Sequence, residues 1–150
     1  MYRVSTGYTV ADAMTQEPVT ISPNKTLRDA SKVMAHEHVG SLLVKEDDKI
    51  IGILTEQDVV RKGVATAGNT ALKKVKEVME TNLTTTTPDE DIFEALRIMR
   101  DYNIRHLPVL HQGKFVGLVT LKDILKIEPD LYEIMVEKIE LREAERKPRR

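Results

Sequence analysis

Two pairs of residues in this chain have the types and the spacing for ligand chemistry. Thr120 and Asp123 stand three positions apart in Gly117-Leu118-Val119-Thr120-Leu121-Lys122-Asp123, where a strand-like run gives way to a helix-like one. An aspartate carboxylate can accept hydrogen bonds from both hydroxyls of a ribose. A threonine hydroxyl and the start of a helix can meanwhile donate to a phosphate. The same spacing has a plainer use, the capping box, in which the threonine caps the helix and the acid returns a hydrogen bond. The two uses are compatible. The pair recurs 65 positions earlier as Thr55 and Asp58, in Gly52-Ile53-Leu54-Thr55-Glu56-Gln57-Asp58, and this duplication weights the reading toward function.

The elements that must position these residues repeat as well. Val10–Met14 aligns on Val75–Met79, each a short helical turn. Val19-Thr20-Ile21-Ser22-Pro23 aligns on Thr84-Thr85-Thr86-Thr87-Pro88, a β-rich run stopped by proline. Thr26-Leu27-Arg28-Asp29 and Asp91-Ile92-Phe93-Glu94 both carry the cap-x-x-acid signature of a helix start. Leu27, Ala30, Val33 and Met34 then form one apolar stripe; Ile92, Ala95, Leu96 and Met99 form its counterpart. Two strands follow in each copy, Val39–Val44 with Lys49–Leu54 and Ile104–Leu110 with Lys114–Val119. Glu46-Asp47-Asp48 and His111-Gln112-Gly113 are their turns. Each copy closes with a helix, Glu56–Lys62 and Leu121–Lys126, and Gly63 suits the position just past the first.

The chain therefore reads as an α/β (α+β) protein of two β-α-β-β-α repeats. Residues 1–9 form an arm, 10–63 repeat one, 64–74 a linker, 75–127 repeat two, and 128–150 a C-terminal helix with a basic tail. Each repeat is marginal as a domain, so the two are expected to pack face to face about a pseudo-two-fold. Within 130–147, Leu131, Ile134, Met135, Lys138, Ile139 and Arg142 share a face.

Composition narrows the function classes. The chain has 150 residues, 41% hydrophobic and 31% charged, with 23 Lys+Arg against 24 Asp+Glu. Near-zero net charge implies no whole-chain attraction to polyanions, so nucleic-acid binding would need a local patch. Without cysteine there are no disulfides, Fe–S clusters or Cys-ligated zinc. The apolar runs are too short to span a bilayer and residues 1–10 lack a signal-peptide core, so the expected address is the cytoplasm. No Gly-x-Ser-x-Gly elbow, His-Glu-x-x-His or Walker loop occurs, and binding without turnover is the simpler account. His36-Glu37-His38 places two imidazoles on different sides of a helix with no third ligand nearby, so no metal is expected.

The doubled Gly-x-x-Thr-x-x-Asp, the Pro-x-x-(Thr or Asp)-aliphatic-x-x-Ala run and Ile104-Arg105-His106-Leu107-Pro108-Val109 together resemble a tandem pair of CBS domains, named after cystathionine β-synthase. The resemblance covers roughly residues 10–127. It implies two clefts between the repeats that take adenine nucleotides (AMP, ADP or ATP) or related adenosyl ligands, dimerisation, and a sensor role toward an effector protein. Basic residues at the positions of Arg105 and His106 contact phosphates in the family, and Lys122 adds a third positive group. Repeat one has Gly40, Ser41 and Gln57 at those positions. The Asp123 cleft should therefore bind phosphate strongly, and the Asp58 cleft weakly or with another ligand. The resemblance further implies that the Asp123 cleft uses Thr20, Ile21, Ser22 and Leu27 with Ile104 and Pro108. The Asp58 cleft would use Thr85, Thr86, Thr87 and Ile92 with Val39.

The expectation is thus a stand-alone, non-catalytic sensor of the cell's energy state, homodimeric, binding AMP, ADP or ATP with Thr120, Asp123, Thr55 and Asp58. The rival ligand is S-adenosylmethionine or another adenosyl compound. A nucleic-acid-binding protein using Arg105, His106 and the basic tail, or a weak nucleotide hydrolase, stands behind these.

Overall fold

A computed structural model of the chain describes residues 5–131 and 133. Among the described residues it is a mixed α/β structure with six α-helices and two small sheets. In order they are α1 (Val10–Ala13), β1 (Thr20–Ile21), α2 (Leu27–Glu37), β2 (Ser41–Glu46), β3 (Lys49–Thr55), α3 (Glu56–Asp58), α4 (Val75–Val78), α5 (Ile92–Tyr102), β4 (His106–His111), β5 (Lys114–Thr120) and α6 (Leu121–Ile127). A π-helical stretch, Val59–Val64, continues α3, and a 3₁₀ turn, Thr70–Leu72, precedes α4.

The long helices form where the apolar stripe and the caps agree. Thr26 accepts from the Asp29 N–H while the Asp29 carboxylate accepts from the Thr26 N–H, so α2 starts with a reciprocal box. The start of α5 differs from the sequence expectation. Asp91 caps it by accepting from the Phe93 N–H at 2.8 Å, but Glu94 pairs with Arg97 instead of returning to the cap. Both helices end on a left-handed residue, His38 with φ 55° and Asn103 with φ 54°. Leu27, Ala30 and Met34 bury one face of α2; Ile92, Ala95, Leu96 and Met99 bury that of α5.

β2 and β3 pair antiparallel, as do β4 and β5, with register shifts at Val44/Lys45 and at Val109/Leu110. β1 adds in parallel to β2. Its counterpart in repeat two is not a strand: Thr86 makes a single parallel bridge to Val109. Four threonines in a row favour extended backbone, but only Thr86 exchanges main-chain bonds with β4. Gly63 also departs from expectation. It lies buried inside the π-helical stretch, where a Cβ would come within 2.7 Å of Leu27 Cδ1. Close packing, not helix termination, explains that glycine.

Two compact units emerge, and they do not coincide with the sequence repeats. One is Glu17–Thr84; the other joins the chain up to Gln16 to the chain from Thr85 onward. The short helix at the head of each repeat thus packs with the body of the other repeat. Val75 and Val78 of α4 share a core with Ile21, Leu27, Ala30, Met34, Leu42, Val44 and Leu54. Val10 of α1 shares one with Ile92, Leu96, Met99, Leu107, Val109, Val119, Ile124 and Leu131. The segment after each head helix bridges to a strand, Thr15 to Leu118 and Glu80 to Ile53. A Cβ on Gly117 would stand 2.8 Å from the Thr15 carbonyl oxygen, and one on Gly52 would stand 2.8 Å from Met79 Sδ. The glycine of the repeated motif is therefore the space through which this segment passes. The C-terminal helix expected over 130–147 lies outside the described residues save its first few positions, as does the basic tail.

Candidate functional site

Each Thr-Asp pair sits where the second hairpin strand turns into a helix. β5 delivers Thr120 in extended conformation (φ −112°, ψ 162°), and its hydroxyl accepts from the Asp123 N–H at 3.2 Å. Asp123 Oδ2 accepts from the Thr120 N–H at 3.0 Å. The capping box is real. It engages one carboxylate oxygen, and Asp123 Oδ1 has no partner among the described residues.

The β4–β5 register brings the backbone of two basic residues to this turn. His106 lies directly opposite Thr120. Arg105 falls just before β4, not within a strand, and its carbonyl accepts from the Leu121 N–H at 2.9 Å. That bond fixes its backbone at the first turn of α6. The side chains of Arg105 and Lys122 are exposed, and His106 is half-buried. In the same unit the Pro108 carbonyl accepts from the Thr86 N–H at 3.1 Å. Thr86 is buried, with no partner for its hydroxyl among the described residues. Thr85 is half-buried and Thr87 exposed; Ile104 packs against the core and Ile92 is fully inside it.

The Asp58 position has the same scaffold and different occupants. Thr55 and Asp58 form the same reciprocal box, both bonds at 3.1 Å. Here the second carboxylate oxygen is taken: Lys62 Nζ lies 3.3 Å from Asp58 Oδ1 and 3.8 Å from Glu80 Oε2. Glu56 donates its N–H to the Gly40 carbonyl at 3.0 Å, matching the Leu121–Arg105 bond. Its carboxylate folds over Gly40, so that a Cβ there would come within 2.5 Å of Oε1. Ser41, opposite Thr55, is buried. Val39 is half-buried, Ile21 and Leu27 are core, and Thr20 and Ser22 are exposed. Gln57 is exposed.

Sequence reasoning overlooked Glu56, Lys62 and Glu80. The Asp58-x-x-x-Lys62 spacing was the available signal, since residues four apart on a helix meet. Glu80 carried none, because it reaches Lys62 only through the bridge to Ile53. Among the described residues no group of three or more His, Asp or Glu is placed to hold a metal ion, and no helix is long and apolar enough to cross a membrane.

A strand–turn–helix unit with a Thr-Asp box at its turn thus occurs twice in the chain, once in each repeat. The CBS domain family model matches residues 10–65 and 75–130, and the chain belongs to that family as a tandem pair. It is 35% identical over 115 residues to the CBS domain-containing protein YhcV of Bacillus subtilis, covering 77% of this chain and 81% of that one. An uncharacterised conserved protein from Pyrococcus horikoshii superposes with a TM-score of 0.77 at 29% identity, over 83% of this chain and 94% of that one. The CBS pair of protein MJ0100, solved with 5′-methylthioadenosine and S-adenosyl-L-methionine, has a TM-score of 0.71 at 28% identity, over 79% of this chain and 94% of that one.

Proposed function

We propose that this chain is a non-catalytic regulatory module that binds an adenine nucleotide, AMP, ADP or ATP, chiefly at Asp123, and reports it to an effector protein. Asp123 Oδ1 would accept from the ribose hydroxyls; Arg105, His106 and Lys122 would face the phosphates. The observation that carries the reading is the unpartnered Asp123 oxygen at a helix start whose first turn also holds Lys122 and bonds the Arg105 carbonyl, both of these side chains being exposed and neither ion-paired with Asp123 among the described residues. A carboxylate ready for a diol beside cations ready for an anion matches a nucleotide better than it matches either half alone. The module would act as a homodimer in the cytoplasm.

S-adenosylmethionine or a related adenosyl compound is the second reading, favoured by the ligands in the MJ0100 structure. Isothermal titration with AMP, ATP and S-adenosylmethionine, on wild type and Asp123→Ala, tests both. Saturable nucleotide binding lost in Asp123→Ala supports the first. Binding indifferent to phosphate number and to Arg105→Ala supports the second. Absence of any adenosyl binding would reduce Thr120 and Asp123 to a capping box.

A further inference from the structure

We infer that Lys62 and Glu56 close the repeat-one position to phosphate-bearing nucleotides, so that the chain takes one such nucleotide, at Asp123, and not two. This rests on the nucleotide-binding reading above and assigns its stoichiometry to two residues.

The two positions share a backbone and differ in who occupies it. At Asp58 both carboxylate oxygens are engaged, Oδ2 by the Thr55 N–H at 3.1 Å and Oδ1 by Lys62 at 3.3 Å. The Asp58 side chain is only 15% exposed, so a ribose would have to displace Lys62 from a carboxylate that water reaches poorly. The residue aligned with Lys62 is Ile127, which cannot compete for Asp123.

Glu56 acts at the phosphate end. Its carboxylate lies over Gly40, the residue aligned with Arg105, within 2.5 Å of where a Cβ would stand. Repeat two has Leu121 in the place of Glu56, leaving the Arg105 side chain unopposed there. Glu80, aligned with Thr15, adds a further carboxylate 3.8 Å from Lys62. Three carboxylates and one ammonium thus meet at the Asp58 turn, whereas the aligned positions hold a single carboxylate, Asp123, with Arg105 and Lys122 on the same turn. A phosphate is repelled at the first and attracted at the second.

The test is made in the Asp123→Ala background, where the principal position is disabled. Calorimetric titration with AMP should show no saturable binding there. Adding Lys62→Ile and Glu56→Leu, the residues of repeat two, should create a saturable site at least about tenfold tighter than any residual binding. A single variant Asp123→Ala that keeps a full AMP site overturns the inference. So does a triple variant that melts cooperatively yet binds no better. Should the apolar triple variant fail to fold, Lys62→Gln with Glu56→Gln removes both charges at near-constant shape, and no gain in that folded variant is equally fatal. The nucleotide-binding reading fails separately, if wild type binds no AMP that Asp123→Ala abolishes.

Discussion

Thr86 is the residue at which the two repeats differ most in kind within a buried position. It aligns with Ile21, which fills the same place in repeat one. A buried hydroxyl without a hydrogen-bond partner costs roughly 1–3 kcal/mol relative to a satisfied one. Thr86→Val keeps the side-chain shape and deletes the hydroxyl, so the ligand-free protein should gain about 1 kcal/mol. Thermal melts with and without AMP read two outcomes. Equal gains with and without nucleotide assign the hydroxyl no ligand contact. Equal gains are expected, because the resemblance gives Thr86 to the Asp58 cleft, which is inferred above to be closed to AMP. A gain confined to the free protein would show that the hydroxyl bonds AMP and that this cleft is open.

At the scale of elements, caps and turns decide how accurately the sequence can be read. The α2 and α5 helices were legible because apolar spacing and start signals agree, and both head helices from their apolar spacing and repetition; the structure keeps all four. The hairpins were legible from their turns: Asp47 and Asp48 have φ of 50° and 63°, Gln112 and Gly113 have 50° and 76°, the mirror-image turn that suits twisted strands. Two details failed: Glu94 pairs with Arg97, three residues on, instead of returning to the cap, and Gly63 answers to Leu27, far away in sequence. Asp91 keeps its cap on Phe93 and is bonded by the N-terminal arm as well. Asp91 Oδ2 accepts from the Thr6 N–H at 2.9 Å and from the Ser5 hydroxyl at 3.3 Å, and Oδ1 accepts from the Thr6 hydroxyl at 3.0 Å. Partial burial alone would raise its carboxyl pKa, but the bonds from Phe93, Thr6 and Ser5 prevail and hold it below the usual carboxylate value. A folded pKa depressed in this way contributes stability above the unfolded pKa of about 3.9, lost as pH falls through the lower folded value. The protection of the Thr6 amide, the slowing of its exchange relative to that of an unstructured chain at the same pH, should therefore fall on acidification below about pH 4. In Asp91→Asn, whose amide nitrogen cannot accept from Thr6, protection should be low already at neutral pH and lose this carboxylate-dependent fall. A slow Thr6 amide in that variant would show that the arm is held by other means.

At the scale of the whole molecule, duplication in sequence and compactness in space follow different boundaries. A repeat is what the gene copied; a unit is what the chain packs, and each unit includes the head helix of the other copy. Only contacts far apart in sequence reveal this, so residue spacing could not. In the unit Glu17–Thr84, α4 puts Val75 and Val78 into the core. The Val75 N–H donates to the Lys25 carbonyl at 2.8 Å, and the Leu27 N–H to the Lys73 carbonyl at 2.9 Å. Burying each of these valines is worth about 1.5–3 kcal/mol, and together they approach the roughly 5 kcal/mol at the lower end of a domain's total stability. A fragment cut by sequence repeat, residues 10–74, forfeits α4 and keeps an α1 whose Val10 has lost its core. A fragment of residues 17–84 keeps every core residue of its unit. The second should melt cooperatively by circular dichroism and the first should not, although the two are of similar length. Cooperative melting of 10–74 would mean that α4 is dispensable. The repeat would then be the folding unit, and the exchanged head helices a later addition to it.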